Sequence, residues 1–280
     1  MASSGKKPQK RIVDRASFAG LTIALVGIIG GLLLEGGRLS DITQLTAAMI
    51  VLGGTAGAVM VTTPMPVLAA ACKRLPSVFW YPATSTDQVL QVILRLAAKA
   101  RRTGIISLEE DAEGTPDPFF RKALRLAIDG TDLKIVRRIM ELEIEAAEIK
   151  AEAEAKVFGS AGGYSPTVGI IGAVLGLIQV MKHLEDIQAV GHGIAVAFVA
   201  TVYGVFVANI FFLPIANKLK TRTEQFLRTQ EMALEGVIAI AEGMNPRLIE
   251  SQLERFYDGS RRNAEQDLSR KRPGRGRAAA

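Results

Sequence analysis

The sequence contains one cysteine (Cys72), one tryptophan and two histidines in 280 residues. A lone cysteine excludes an internal disulfide framework, and no cluster of His, Cys, Asp and Glu has the spacing of a metal site. No glycine-rich phosphate loop and no nucleophile elbow occurs. The most informative shortage is local: residues 16–34, 42–72, 157–181 and 187–217 hold no Asp, Glu, Lys or Arg. They are apolar and rich in small residues, and each comes near or exceeds the roughly 20 residues that cross ~30 Å of hydrocarbon. An ion path in a membrane usually needs a titratable or coordinating group. The last two segments offer walls for such a path and no carboxylate, which predicts a subunit that completes its site with a partner. No enzyme activity and no cofactor are predicted.

The pattern predicts an all-α polytopic membrane protein: four transmembrane helices, a helical cytoplasmic domain, and a stalk formed by extensions of spans three and four. The expected order is a basic N-terminus (1–15), span one (16–34), span two (42–63), a cytoplasmic helical domain (64–158), span three (164–184), span four (194–216), C-terminal cytoplasmic helices (217–258) and a basic disordered tail (259–280). Lys6, Lys7, Lys10, Arg11 and Arg15 precede span one, Lys73 and Arg74 follow span two, and Lys218, Lys220 and Arg222 follow span four. The two short connections hold one Arg or Lys each, Arg38 and Lys182. By the positive-inside rule both termini and the long middle segment are cytoplasmic. Residues 1–34 resemble a secretory signal, but the apolar run is long and Leu32-Leu33-Leu34-Glu35 lacks the small residues of a cleavage site. We read it as a retained span. Cys72, at the end of the second segment, reads as a buried, inert thiol.

The net charge of +6 does not mark a nucleic-acid binder. Residues 73–156 carry fourteen basic and fourteen acidic side chains, so the excess lies in the termini, where topology and anionic lipid account for it. Within the cytoplasmic part, Val89, Val92, Ile93 and Leu96 give residues 85–102 an amphipathic helical period, ended by Gly104. A second helix is predicted over 119–128, ended by Gly130. Over 132–158, Ile135, Ile139, Leu142, Ala146, Ile149 and Ala153 form a narrow heptad seam, which fits a coiled coil or a bundle helix within the chain. Leu219, Phe226, Ala233 and Ile240 recur every seven residues after span four. Asn245-Pro246 starts a last helix, with Asn as N-cap.

Span three holds Gly162, Gly163, Gly169, Gly172 and Gly176, and span four spaces Ala200, Gly204 and Ala208 four apart. Such stripes let backbones approach closely in lipid. Their presence on more than one face predicts neighbours from other copies as well as from the same chain. Thr201 admits two readings: a back-bond to the carbonyl one turn earlier, or a place in a wet crevice beside a partner's carboxylate. Pro166, beside Thr167, and Pro214 free backbone carbonyls, tolerable only beside protein or water. His183 and His192 read as interfacial surface residues.

The run YSPTVGIIGAVLGLI at 164–178 resembles the third span of the flagellar-motor stator A subunits (MotA/PomA), within the MotA/TolQ/ExbB proton-channel superfamily. Residues 194–220, IAVAFVATVYGVFVANIFFLPIANKLK, resemble the fourth. VLGGT at 51–55, RRTGIISLE at 101–109 and Asn245-Pro246-Arg247 fit as well. The resemblance implies a stator subunit of the bacterial inner membrane that converts ion motive force into torque. It further implies a homopentamer around a B-type partner, which brings the ion-binding Asp and a peptidoglycan-binding domain, and contact with the rotor switch complex. By position, the resemblance makes Pro166, Ala173 and Thr201 line the ion path and Pro166 and Pro214 couple conformation. Arg101 or Arg102 and Glu109 or Glu110 would meet the rotor. Sodium-driven members have Thr where this chain has Ala173; the missing oxygen ligand implies protons as the coupling ion. The nearest alternative is an ExbB/TolQ-like energiser of envelope transport, which has one span before the cytoplasmic domain where this chain has two. A passive scaffold, or a transporter coupling ions by itself, fits less well.

Overall fold

Helices account for most of the described residues. The structure, a computed structural model, describes residues 11–82 and 86–256. Most of the basic N-terminal segment and the expected tail at 259–280 lie outside the described residues. A three-residue strand, β1 (Arg11–Val13), leads into α1 (Arg15–Leu34). Asp14 caps α1 by accepting from the Ser17 N–H at 3.2 Å. The helix is a 20-residue run without charge after Arg15, and Gly36, at φ 85°, turns the chain out of it.

The second apolar segment is built in pieces. A 3-10 turn (Leu39–Ile42) precedes α2 (Leu45–Ala48), a π-turn (Met49–Gly53), α3 (Gly54–Thr62) and, after Thr63-Pro64, α4 (Met65–Arg74). Pro64 cannot continue a helix, so the segment breaks there. A further 3-10 turn (Leu75–Val78) reaches β2 (Trp80–Pro82), which pairs antiparallel with β1. This small ladder was not legible in the sequence. The protein is nonetheless all-α in class.

Next come α5 (Thr86–Thr103), a 3-10 turn (Ile105–Leu108), α6 (Glu109–Gly114) and α7 (Pro118–Ile128). Two long segments follow. The first is α8 (Leu133–Lys182), which passes through Pro166. The second comprises α9 (Ile187–Phe206), a π-turn (Val207–Phe212) and α10 (Leu213–Ala241), and α11 (Pro246–Leu253) comes last. Among the described residues, four helical stretches are long and apolar enough to cross a membrane: Arg15–Leu34, Leu39–Thr62, and parts of Leu133–Lys182 and Ile187–Ala241.

The described residues form two compact units, the first from residues up to 82 with 148–224, the second from 86–147 with 225–256. The second unit has one apolar core, in which Leu90, Ile93 and Leu96 of α5 meet Phe119, Ala123 and Leu124 of α7, Val136 and Met140 of α8, and Val237 of α10. A Cβ on Gly236 would stand 2.7 Å from the Ile93 side chain, so glycine there sets how closely α5 and α10 pack. Asn245 accepts from the Arg247 N–H and caps α11, which buries Ile249 and Leu253.

The seam of α8 differs from the one read in the sequence. Ile135, Leu142 and Ile149 are exposed, while Val136, Met140, Ile144, Ala151 and Ala155 are buried. Two adjacent stripes are apolar, and periodicity does not rank them. The core of the chain takes the stripe one position over. Phe226 is likewise exposed, whereas Leu219, Ala233 and Ile240 are buried. Cys72 corrects a further expectation: it is exposed, because α4 turns the neighbouring Ala71 inward instead.

Candidate functional site

The first unit contains a close crossing of α8 and α9 built on glycine. A Cβ placed on Gly204 would lie 2.5 Å from the Ser165 carbonyl oxygen, 3.1 Å from Gly169 Cα and 3.2 Å from Pro166 Cα. One on Gly169 would meet the Ala200 carbonyl oxygen at 2.9 Å and Thr201 Cα at 3.4 Å. Two turns further on, Gly176 faces Gly193 and Ala197 in the same way. No side chain fits between these backbones, which are held by dispersion contacts that lipid cannot replace. The small-residue stripe is therefore consumed largely within the chain. Gly163 is the exception in this region: its Cβ position meets nothing within 4 Å.

Pro166 and Thr201 come together at this crossing. Ala173, half-buried, lies seven residues after Pro166, two turns along the same face of α8. The Thr201 hydroxyl donates to the Ala197 carbonyl at 3.1 Å, so the back-bonded reading holds in the single chain, with Thr201 only part-buried. Proline at 166 withholds the N–H that a helix would direct to the Gly162 carbonyl. The flanking hydroxyls bond other carbonyls of the same turn: Ser165 donates to Ala161 at 2.8 Å and Thr167 to Tyr164 at 2.8 Å.

Three polar contacts here were not legible as site features. The Thr55 hydroxyl of α3 donates to Ser165 Oγ at 3.4 Å, both groups being buried. This is a buried polar link directly beside Pro166. The Tyr203 hydroxyl donates to the Ile42 carbonyl at 2.5 Å and accepts from the Gln44 N–H at 3.2 Å, tying the entrance of the second segment to α9. The third is the Asp14 cluster. Its carboxylate meets Lys218 Nζ at 2.6 Å and Arg222 Nη2 at 2.5 Å. Burial pushes the Asp14 carboxyl upward, but the Lys218 hydrogen bond, the Ser17 N–H and the two cations outweigh it and hold the pKa at about 2.

Pro214 belongs elsewhere. It lies thirteen residues beyond Thr201, roughly 20 Å along a helix axis at 1.5 Å per residue, and is exposed. The π-turn just before it sends the Leu213 N–H to the Ala208 carbonyl, five residues back. Wider hydrogen-bonded rings of this type accommodate an extra residue and recur at functional bends. Asn209 donates to the Val205 carbonyl at 2.8 Å within the same stretch. His183 and His192 are exposed near the α8–α9 connection.

In the second unit, Arg101 and Arg102 end α5, and Glu109 and Glu110 begin α6. Gly104, at φ 83°, provides the reversal between them. Each charge opposes the dipole of its own helix end, which stabilises both termini. All four side chains are exposed, and none forms an ion pair among the described residues. Their neighbours do pair, Lys99 with Asp111 at 2.6 Å and Arg125 with Glu113. Ile106, between the two charged pairs, is also exposed.

Residues 111–232 match the model of the MotA/TolQ/ExbB proton channel family, and residues 18–104 match that of the motility protein A N-terminal region. Motility protein A of Bacillus subtilis is 34% identical over 246 residues, covering 86% of this chain and 90% of that protein. The structure of C. jejuni MotAB superposes with a TM-score of 0.85 at 32% identity, covering 88% of this chain and 97% of the other. The flagellar MotAB stator complex from Bacillus subtilis gives 0.82 at 32% identity, with 89% and 99% covered.

Proposed function

Since the chain belongs to the motility protein A branch of the MotA/TolQ/ExbB proton channel family, we propose that it is the A-type stator subunit of a bacterial flagellar motor. In this reading it is a multi-pass inner-membrane protein with cytoplasmic termini. Several copies, five by family resemblance, surround a B-type partner that supplies the aspartate and the peptidoglycan anchor. The observation that carries the reading is the α8–α9 crossing, a wall of small residues with Thr201, Pro166 and hydroxyl-bonded backbone carbonyls and no Asp, Glu, Lys or Arg of its own.

A carboxylate brought against this wall alternates between charged and neutral forms. The charged form demands polar contacts in a low-dielectric place; the neutral form does not. The two forms therefore favour different arrangements of the wall, and ion entry shifts the balance between them. Each proton crossing releases ~2.3 kcal/mol per 100 mV. Ala173 offers no oxygen ligand to a dehydrated sodium ion, so protons are the coupling ion, and no bound cofactor or covalent step is involved.

Torque leaves through the turn between α5 and α6. Its four exposed charges form no ion pair among the described residues, and exposed ion pairs are worth ~0–1 kcal/mol each. Contacts that weak make and break quickly, as stepping along a ring of rotor subunits requires. The test is motility of a stator-deletion strain carrying Arg101→Glu or Glu109→Lys. Each variant is expected to assemble normally yet cut torque at high load at least threefold. Wild-type torque in both variants would refute the rotor-contact assignment.

A further inference from the structure

A cavity of about 230 Å³ opens in the first unit between α1, the segment at Val78-Phe79 and the lower part of the fourth apolar stretch. Ala16, Gly20, Phe79, Phe211 and Pro214 give it an almost wholly apolar wall, and Lys218 is its one charged lining residue. A Cβ on Gly20 would meet nothing within 4 Å, so the space continues to the α1 backbone. An enclosed apolar cavity of ~150 Å³ stays dry and binds small apolar molecules; this space is larger and partly open at its side, so a longer apolar group can enter it. The space is far too small for a helix of ~10 Å diameter, which leaves something slender.

The location narrows the occupant. Exposed Trp80 and the basic residues flanking the spans mark this end as the boundary between hydrocarbon and headgroups. Lys218 and Arg222 share the single carboxylate of Asp14, and exposed Arg15 precedes the lining residue Ala16. The rim is therefore net positive. We propose that the cavity holds one acyl chain of an anionic phospholipid, with its phosphate drawn to Lys218 and Arg15. The chain lies against Pro214, which has no backbone N–H to give to the preceding turn, and the end of the π-turn before it. This inference rests on the membrane location alone and is independent of the ion and torque assignments.

The test uses the complex with its B-type partner, reconstituted in vesicles of equal parts phosphatidylglycerol and phosphatidylcholine. It is then re-extracted in mild detergent and weighed by native mass spectrometry. Wild type is expected to retain phosphatidylglycerol at least fivefold over phosphatidylcholine, up to one per copy. Gly20→Leu places a side chain in the cavity from a Cβ that meets nothing within 4 Å, and should reduce retention at least fivefold. Gly27→Leu, equally open but outside the cavity, should leave it unchanged. Absence of retained lipid in wild type, equal retention of the two lipids, or equal retention by Gly20→Leu overturns the proposal. Should Gly20→Leu fail to assemble, a photoreactive benzoylphenylalanine at Ala16 decides: capture of phospholipid supports the site, and capture of a second copy or of the B-type partner overturns it.

Discussion

Replacing Gly204 with alanine adds one methyl group at the tightest point of the membrane crossing. The new Cβ would stand 2.5 Å from the Ser165 carbonyl oxygen, about 0.9 Å inside ordinary contact, and would also press on the Cα atoms of Gly169 and Pro166. All three obstacles are backbone, so no side chain can rotate away and the helices must separate. Overpacking of this kind costs typically ~1–3 kcal/mol. Alanine returns ~1 kcal/mol of helix propensity, leaving a net loss of about 0–2 kcal/mol. The functional loss should exceed the structural one, because the displaced atoms are those of Pro166 and its neighbours. In the stator-deletion strain, Gly204→Ala should lower the thermal aggregation midpoint of the complex by a few degrees and reduce swimming torque at least tenfold. Gly163→Ala, whose added methyl meets open space three residues before Pro166, serves as the control and should behave as wild type. Equal torque and stability in the two variants would refute the close-crossing reasoning.

Asp14→Asn leaves Lys218 and Arg222 without their carboxylate and should destabilise the first unit by about 1–2 kcal/mol, read as a lower aggregation midpoint. Because the folded pKa of Asp14 is depressed from 3.8 to about 2, this stabilisation is fully present above pH ~4 and fades as pH falls from there toward 2. Wild type and Asp14→Asn should therefore differ at pH 7 and converge near pH 2; a constant gap would contradict the linkage. Swimming speed should follow the proton motive force and stay unchanged when sodium is replaced by potassium. A dependence on sodium would remove the significance given to Ala173.

The membrane-spanning segments were legible because missing charge over twenty residues has few other meanings in a helical chain. The α11 cap was legible for a similar reason: Asn245-Pro246 is a local signal read by the backbone one and two residues away. Long-range choices were not. Ile135 and Val136 both begin apolar stripes, and only the cores packed against α8 select the second. The Asp14 cluster joins residues more than two hundred positions apart, and Thr55 meets Ser165 across more than a hundred. Neither pair leaves a local pattern. The two π-turns are invisible for another reason, since a one-residue widening of a helix changes no period that a short apolar segment can display. Cys72 and Ala71 show the same limit at one-residue resolution: composition places the segment in the membrane region but does not say which of two neighbours turns inward.

Everything in the functional reading depends on a wall that lacks its own acid. The direct measurement is proton uptake into vesicles under an imposed potential, comparing the purified chain, the chain assembled with its B-type partner, and that assembly with the partner's aspartate changed to asparagine. Uptake only in the second preparation is the predicted result. Potential-driven uptake by the chain alone would contradict the account.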